Sequence, residues 1–293
     1  MNNEINRYNF TNGSPVYSGR LSKFNGEKLD KSKSFFIRPL TIKDCSAMED
    51  LSVCIYENLR EGQECFIHKH DREYYRDIFQ GDDTDNVKFI GVFVGKHLVA
   101  MSYFRIIDND NDLQPELPNH KLDIFSADRG VGEVVVAAFG SDSVHPDYRG
   151  NRLNTVMVDY RANYAKMLGA TDFVSIIDRK NVWNMNPYFD NGFNMFASSV
   201  DPADNGKIAL MHKPAVDKVV HNDNELEKMN YENLNTIDKM FYMKRIGVAY
   251  DKETSSIIFA KTSYYSDMKK HNKGSNNNMV MMMARGRRDA AGY

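Results

Sequence analysis

Apolar residues in this chain recur in two rhythms, one of period 2 and one of period 3.6, which predicts a fold mixing strands and helices. The run 35-FFIRPL-40 predicts a first strand, and Thr41 with Asp44 three residues on predicts a capped helix start. The helix that follows carries Cys45, Met48, Leu51, Ile55 and Leu59 on one stripe, and a second short helix is expected over 71–80, closed by Gly81. Two apolar runs within 88–107, split by Gly95-Lys96-His97, predict a β-hairpin. A polar, proline-bearing loop (108–119) precedes a long strand over 133–144, where Gly140 predicts a bulge or a close approach. From Asn151 the period becomes helical: Leu153, Val156, Met157, Tyr160, Tyr164, Met167 and Leu168 share one face, and Gly169 marks the stop. The strand 172-DFVSIID-178 completes a crossover, followed by a short helix near 181–190 and strands around 193–198 and 207–213.

The two ends break these rhythms. Residues 1–34, rich in Asn, Ser, Gly and Lys, read as an irregular N-terminal arm. After the main domain, 35–214, an amphipathic helix is expected over 223–245 and a hairpin around Asp251-Lys252-Glu253, making 215–265 a C-terminal helix-hairpin appendage. Residues 266–293 are of low complexity and read as a tail.

Composition narrows the function classes. In 293 residues the formal net charge is −2 and 42% of residues are hydrophobic, so nothing pulls the chain toward nucleic acid or an anionic membrane. Nucleic acid and membrane are therefore not expected as partners, and the setting expected is cytoplasmic. Three cysteines without a CxxC pair, and histidines without an HExxH, give no metal expectation.

The chemistry concentrates in 144-VHPDYRGNRLNT-155, a strand end, a tight turn and a helix start. Unpaired N–H groups and the helix dipole make such a junction a place for an anion. Gly150 allows close backbone approach, and Arg149 and Arg152 add charge; a surface turn with two solvated arginines has the same sequence.

Together with its surroundings, this segment resembles the acetyl-CoA motif V-x-P-x-x-R-G-x-G-x-G/A of the GNAT superfamily of N-acetyltransferases. Val144, Pro146, Arg149 and Gly150 match it, while Arg152 and Asn154 stand where the family has small residues. A second motif, N-x-x-A-x-x-L-Y-x-x-x-G-F, is matched downstream by Asn181, Tyr188, Gly192 and Phe193, with Asn184 and Pro187 departing. The resemblance spans about residues 35–213. It implies a mixed α/β fold: a mainly antiparallel, twisted GNAT-like sheet with helices on both faces, here with a C-terminal α/β extension.

By that resemblance acetyl-CoA is the acyl donor, with its pyrophosphate on the backbone of Arg149, Gly150, Asn151, Arg152, Leu153, Asn154 and Thr155, beside Val144. A residue entering a helix needs no positive φ, so a side chain at 152 leaves the backbone donors in place; Arg152 either pairs with a phosphate or fills its place. Tyr188 is the expected acid toward the leaving thiolate, or else a core tyrosine beside Phe189 and Phe193. Glu133, Asp142 and Ser141 are the open choices of base. Asn181 bonds the pantetheine arm or caps a helix. The function implied is transfer of an acetyl group to a primary amine on a small molecule or a protein. A GNAT-fold binding or assembly protein with lost or altered CoA binding is the alternative. Acidic and aromatic residues within 56–80 and 179–190, among them Tyr75 and Trp183, suit a cationic acceptor or a solvated helix face. Residues 215–293 are the expected surface for a homodimer or protein partner.

Overall fold

The structure, a computed structural model, describes residues 8–11, 14–59, 69–81, 85–114, 116–117, 120, 122–125, 134–200, 206–216 and 219–264. Glu133 and the tail 266–293 lie outside the described residues. The fold is mixed α/β, and every strand pair whose register is described runs antiparallel. The chain forms two compact units: Met1–Ile106 with Phe139–Leu168, and Ile107–Ala138 with Gly169–Tyr293.

In the first unit, strands β1 (Tyr8–Thr11), β2 (Ser14–Phe24), β3 (Glu27–Pro39), β4 (Val87–Val94), β5 (His97–Ile107) and the 139–144 part of β6 (Val136–Val144) lie in sequence order. The β4–β5 hairpin turns at Gly95, whose φ of +60° suits glycine. Gly91 is required for packing, because a Cβ there would lie 2.5 Å from both Leu40 and Leu98. Asp44 accepts from the Thr41 N–H at 2.9 Å, so the expected helix start is present as a 3-10 turn leading into α1 (Cys45–Glu57). Cys45, Met48, Leu51 and Ile55 of α1 meet Tyr75 of α2 (Arg72–Gln80) and Phe89, Phe93 and Met101 of the sheet in one buried cluster.

Residues 14–34, expected to be irregular, instead form most of a two-stranded ribbon. Its register pairs Tyr17 with Ile37 and Lys23 with Lys28. Among the described side chains of the ribbon only Tyr17, Leu21, Phe35 and Ile37 are buried, so a mostly polar segment is held by a few anchors and its backbone ladder.

Helix α4 (Leu153–Met167) closes at Gly169 with φ +94°, as its sequence predicts. Its buried surface is broader than the expected stripe. Val158, Arg161, Ala162 and Ala165 are buried, whereas Met167 and Leu168 are exposed on the last turn.

In the second unit the strand order is β7 (Asp172–Asp178), β9 (Lys207–Pro214), β8 (Asn194–Val200), β11 (Arg245–Asp251), β12 (Ser256–Thr262) and β10 (His221–Asn230). Short helix α3 (Asp110–Leu113) buries Leu113 and, just after it, Leu117, so the polar loop expected at 108–119 carries core residues. Segment 221–230 is a strand rather than the start of a helix. Its pairing with β12 outweighs the helix-forming residues of ELEKM. The helix that does form, α6 (Leu234–Tyr242), buries Ile237 and Met240. The hairpin expected around Asp251–Glu253 is present, and Gly247 of β11 pairs with Met195 of β8. Residues 221–262 extend the sheet that β7, β8 and β9 begin.

Candidate functional site

The junction singled out in the sequence is built by β6, one 3-10 turn and α4. Within the strand Ser141 takes φ +52°, one residue after the glycine expected to mark a bulge or close approach. Gly140 serves the close approach: a Cβ there would fall 2.7 Å from the Tyr103 ring. His145 donates its N–H to Val99 at 2.9 Å and its Nδ1 accepts from Asp147 at 3.2 Å, which sets the 3-10 turn Pro146–Tyr148. Gly150 then takes φ +79° and Arg152 takes φ +57°, ψ +25°, before α4 begins at Leu153.

The conformation of Arg152 corrects the sequence reading. Position 152 is left-handed, a region in which an L side chain is strained and glycine is not. Arg152 therefore holds a backbone shape that glycine would take without strain. An arginine side chain has no acceptor, so it gives no cap to the first N–H groups of α4, and none is made by this residue.

The two arginines play different parts. Arg149 turns back, its Nε donating to the Val144 carbonyl at 3.3 Å, which braces the end of β6. Arg152 is exposed at the helix start. Asn151 is committed elsewhere: its Oδ1 accepts from the N–H groups of Ser22 and Lys23 at 2.9 and 3.0 Å, and its Nδ2 donates to the Lys23 and Tyr148 carbonyls at 2.9 and 3.0 Å. Its side chain ties the turn to the β2–β3 ribbon; any ligand contact by Asn151 falls to its backbone. Val144, Asn154 and Thr155 are half-buried around the same junction, and Leu153 is buried beneath it.

Asp142, one of the candidate bases, is locked. Arg161 Nη2 lies 2.5 Å from its Oδ1, and the two side chains are 0% and 1% exposed. The same guanidinium donates to the carbonyls of Tyr103 (3.0 Å) and Gly140 (3.3 Å), and lies 4.6 Å from the centre of the Phe139 ring. A carboxylate so held is a poor proton acceptor, since protonation would break a buried ion pair. Its place here is to fix β6 to α4. Sequence reasoning missed Arg161, although its spacing of four from Met157 put it on the buried face. Ser141 is exposed at the bulge.

In the second unit, Asn181 precedes α5 (Val182–Asp190) as its N-cap without a side-chain cap bond, so it does not play the capping part expected of it. Tyr188 is fully buried, packed edge-to-face on Phe193 with centroids 5.1 Å apart. The helix ends in paired bonds: Gly192 N–H to Phe189 at 2.9 Å and Phe193 N–H to Tyr188 at 3.0 Å, with Gly192 at φ +79°. This is a Schellman closure with its usual hydrophobic contact, and it accounts for the spacing Tyr-x-x-x-Gly-Phe. Of the aromatic residues considered for an acceptor surface, Trp183 is 71% exposed. Tyr75 is instead core, and burial pushes its phenol up to about 12.

Ion pairs also bind the C-terminal segment to this unit. Arg179, following β7, meets Asp238 of α6 at 2.8 Å, and Ser198 of β8 donates to the same carboxylate. Burial lowers the Arg179 guanidinium, with Asp238 acting against that shift. Among the described residues, no group of three or more His, Cys, Asp or Glu could hold a metal, and no helix is long and apolar enough to cross a membrane.

Neither a protein-family model nor a curated protein matches the sequence. Solved structures similar to it include the GNAT domain of S. lividans PAT, at 11% identity and TM-score 0.44, covering 67% of this chain and 96% of that one. An acetyltransferase of the GNAT family from Streptococcus pneumoniae is similar at 13% identity and TM-score 0.43, covering 61% and 98%. Arabidopsis thaliana NAA60, solved in complex with acetyl-CoA, is similar at 11% identity and TM-score 0.44, covering 61% and 98%.

Proposed function

We propose that the chain is an N-acyltransferase that takes an acetyl group from acetyl-CoA and passes it to a primary amine. One observation carries this reading: Arg152, where the motif calls for glycine, holds the left-handed conformation that glycine would hold, φ +57°. The departure in sequence thus leaves the turn in a shape that a glycine at 152 would take without strain. Gly150 at φ +79° supports the same reading, since it lies where the resemblance places the pyrophosphate turn.

In this reading the first-turn N–H groups of α4 and the exposed Arg152 hold the pyrophosphate by hydrogen bonds and charge. The neutral amine attacks the thioester carbonyl, a C–N bond forms and the C–S bond breaks. The amine gives up a proton and the leaving thiolate takes one. Asp142 is set aside as the base because Arg161 holds it.

The second reading, a GNAT-fold binding protein without turnover, draws on the commitment of Asp142 to Arg161. Calorimetry with acetyl-CoA, followed by a thiol-release assay over mixed primary amines, separates the two. Binding with release supports the enzyme, and binding without release across the amines favours the second reading.

A further inference from the structure

The β2–β3 ribbon does not stand free of the turn. Asn25 donates its N–H to the Asp147 carbonyl at 2.6 Å, Phe24 packs edge-to-face on Tyr148 with centroids 5.3 Å apart, and Asn151 bonds the backbone of Ser22 and Lys23. The stem of Lys23 crosses the turn, since a Cβ built on Gly150 would lie 3.6 Å from Lys23 Cδ.

The ribbon is also basic within a chain of net charge −2: between 14 and 34 it carries Arg20, Lys23, Lys28, Lys31 and Lys33 against Glu27 and Asp30. Lys23 and Lys28 face each other across the ladder, a pairing of like charges that opposes strand formation unless an anion offsets it. Among the described residues neither lysine has a carboxylate partner within ion-pair distance. The ribbon thus spends a repulsive pair beside the turn that carries Arg149 and Arg152.

We propose that the β2–β3 ribbon is a further wall of the acyl-donor site. In it Lys23 contacts the polyphosphate of the CoA moiety, and Asn151 is the positioning residue that holds Lys23 across Gly150. This inference rests on the donor reading above and extends it to a segment outside the region of resemblance. It requires that affinity through the ribbon follow phosphate charge and not the pantetheine arm.

The test is calorimetric titration of the full chain, parent and variants, with CoA and with pantetheine at two salt concentrations. Lys23→Met keeps the stem and removes the charge. It is expected to weaken CoA binding about fivefold at low salt and to flatten its salt dependence. Pantetheine binding stays unchanged, and the thermal midpoint without ligand does not fall, since the Lys23–Lys28 repulsion is relieved. Asn151→Ala, which releases the Lys23 backbone from the turn, gives a similar loss for CoA and the same flattening of its salt dependence, with pantetheine binding unchanged. A parent that binds CoA while Lys23→Met binds it equally well overturns this inference alone. A parent that fails to bind CoA at millimolar concentration overturns the donor reading and the inference together.

Discussion

Tyr188 and Phe193 meet twice, as rings 5.1 Å apart at 83° and as a backbone bond of 3.0 Å that ends α5. The tyrosine therefore has a packing role that does not depend on its hydroxyl. Tyr188→Ala should lower stability by about 3–5 kcal/mol, as loss of a large buried ring does. Tyr188→Phe keeps the ring contact, and if the phenol is the acid it should lower turnover at least about tenfold with acetyl-CoA affinity unchanged. Urea unfolding and steady-state rates on both variants check this; an equal loss of binding and turnover in Tyr188→Phe would leave only the packing role.

Arg152 carries strain and charge at one position, and two substitutions separate them. Arg152→Gly should raise stability by roughly 1 kcal/mol, because the left-handed conformation no longer opposes a Cβ. Arg152→Ala retains the strain and should change stability little. Both lose the charge, so both should weaken acetyl-CoA binding to the same extent. Denaturation midpoints with parallel titrations read out the difference.

The Asp142–Arg161 pair predicts a strongly non-additive cycle. Arg161→Met leaves a buried carboxylate without its partner and should destabilise by about 3–5 kcal/mol. Adding Asp142→Leu should recover much of that loss, since the unpaired charge is gone. Chemical denaturation of the two single variants and the double variant measures the coupling.

Asp44 gives the fold a defined response to acid. Burial pushes its carboxyl up, but hydrogen bonds from Arg38 and Thr41, with the Arg38 charge, hold it below the usual carboxylate range. A carboxyl lowered on folding contributes stability that is fully present above its unfolded value, about 3.9, and is lost as pH falls through the folded value. Stability measured against pH should fall below about pH 4 less steeply in Asp44→Asn than in the parent.

Much of the architecture was legible because packing and local signals agreed. The Gly95 hairpin, β7 over Asp172–Asp178, and α4 with its stop at Gly169 all bury an apolar pattern bounded by a glycine or a polar break. The β2–β3 ribbon was not legible, because its outer half is exposed on both faces and shows no alternation to read. Strand β10 was misread as helix for a related reason: an edge strand with mostly exposed residues is set by its partner β12, which its own sequence does not reveal. At the site, the motif located the turn, but glycine spacing could not show that Arg152 would accept the left-handed conformation. Nor could it show that Asn151 would be drawn to a ribbon some 128 residues earlier in the chain. Such long-range hydrogen bonds leave no periodic trace.

The central claim is that the turn at Gly150–Thr155 holds an acyl-CoA, and calorimetric titration of the parent protein with acetyl-CoA tests it most directly. Saturable binding is expected within about 1 μM–1 mM, the range common for enzyme substrates, with affinity falling as salt rises. The absence of binding at millimolar acetyl-CoA in low salt would contradict it.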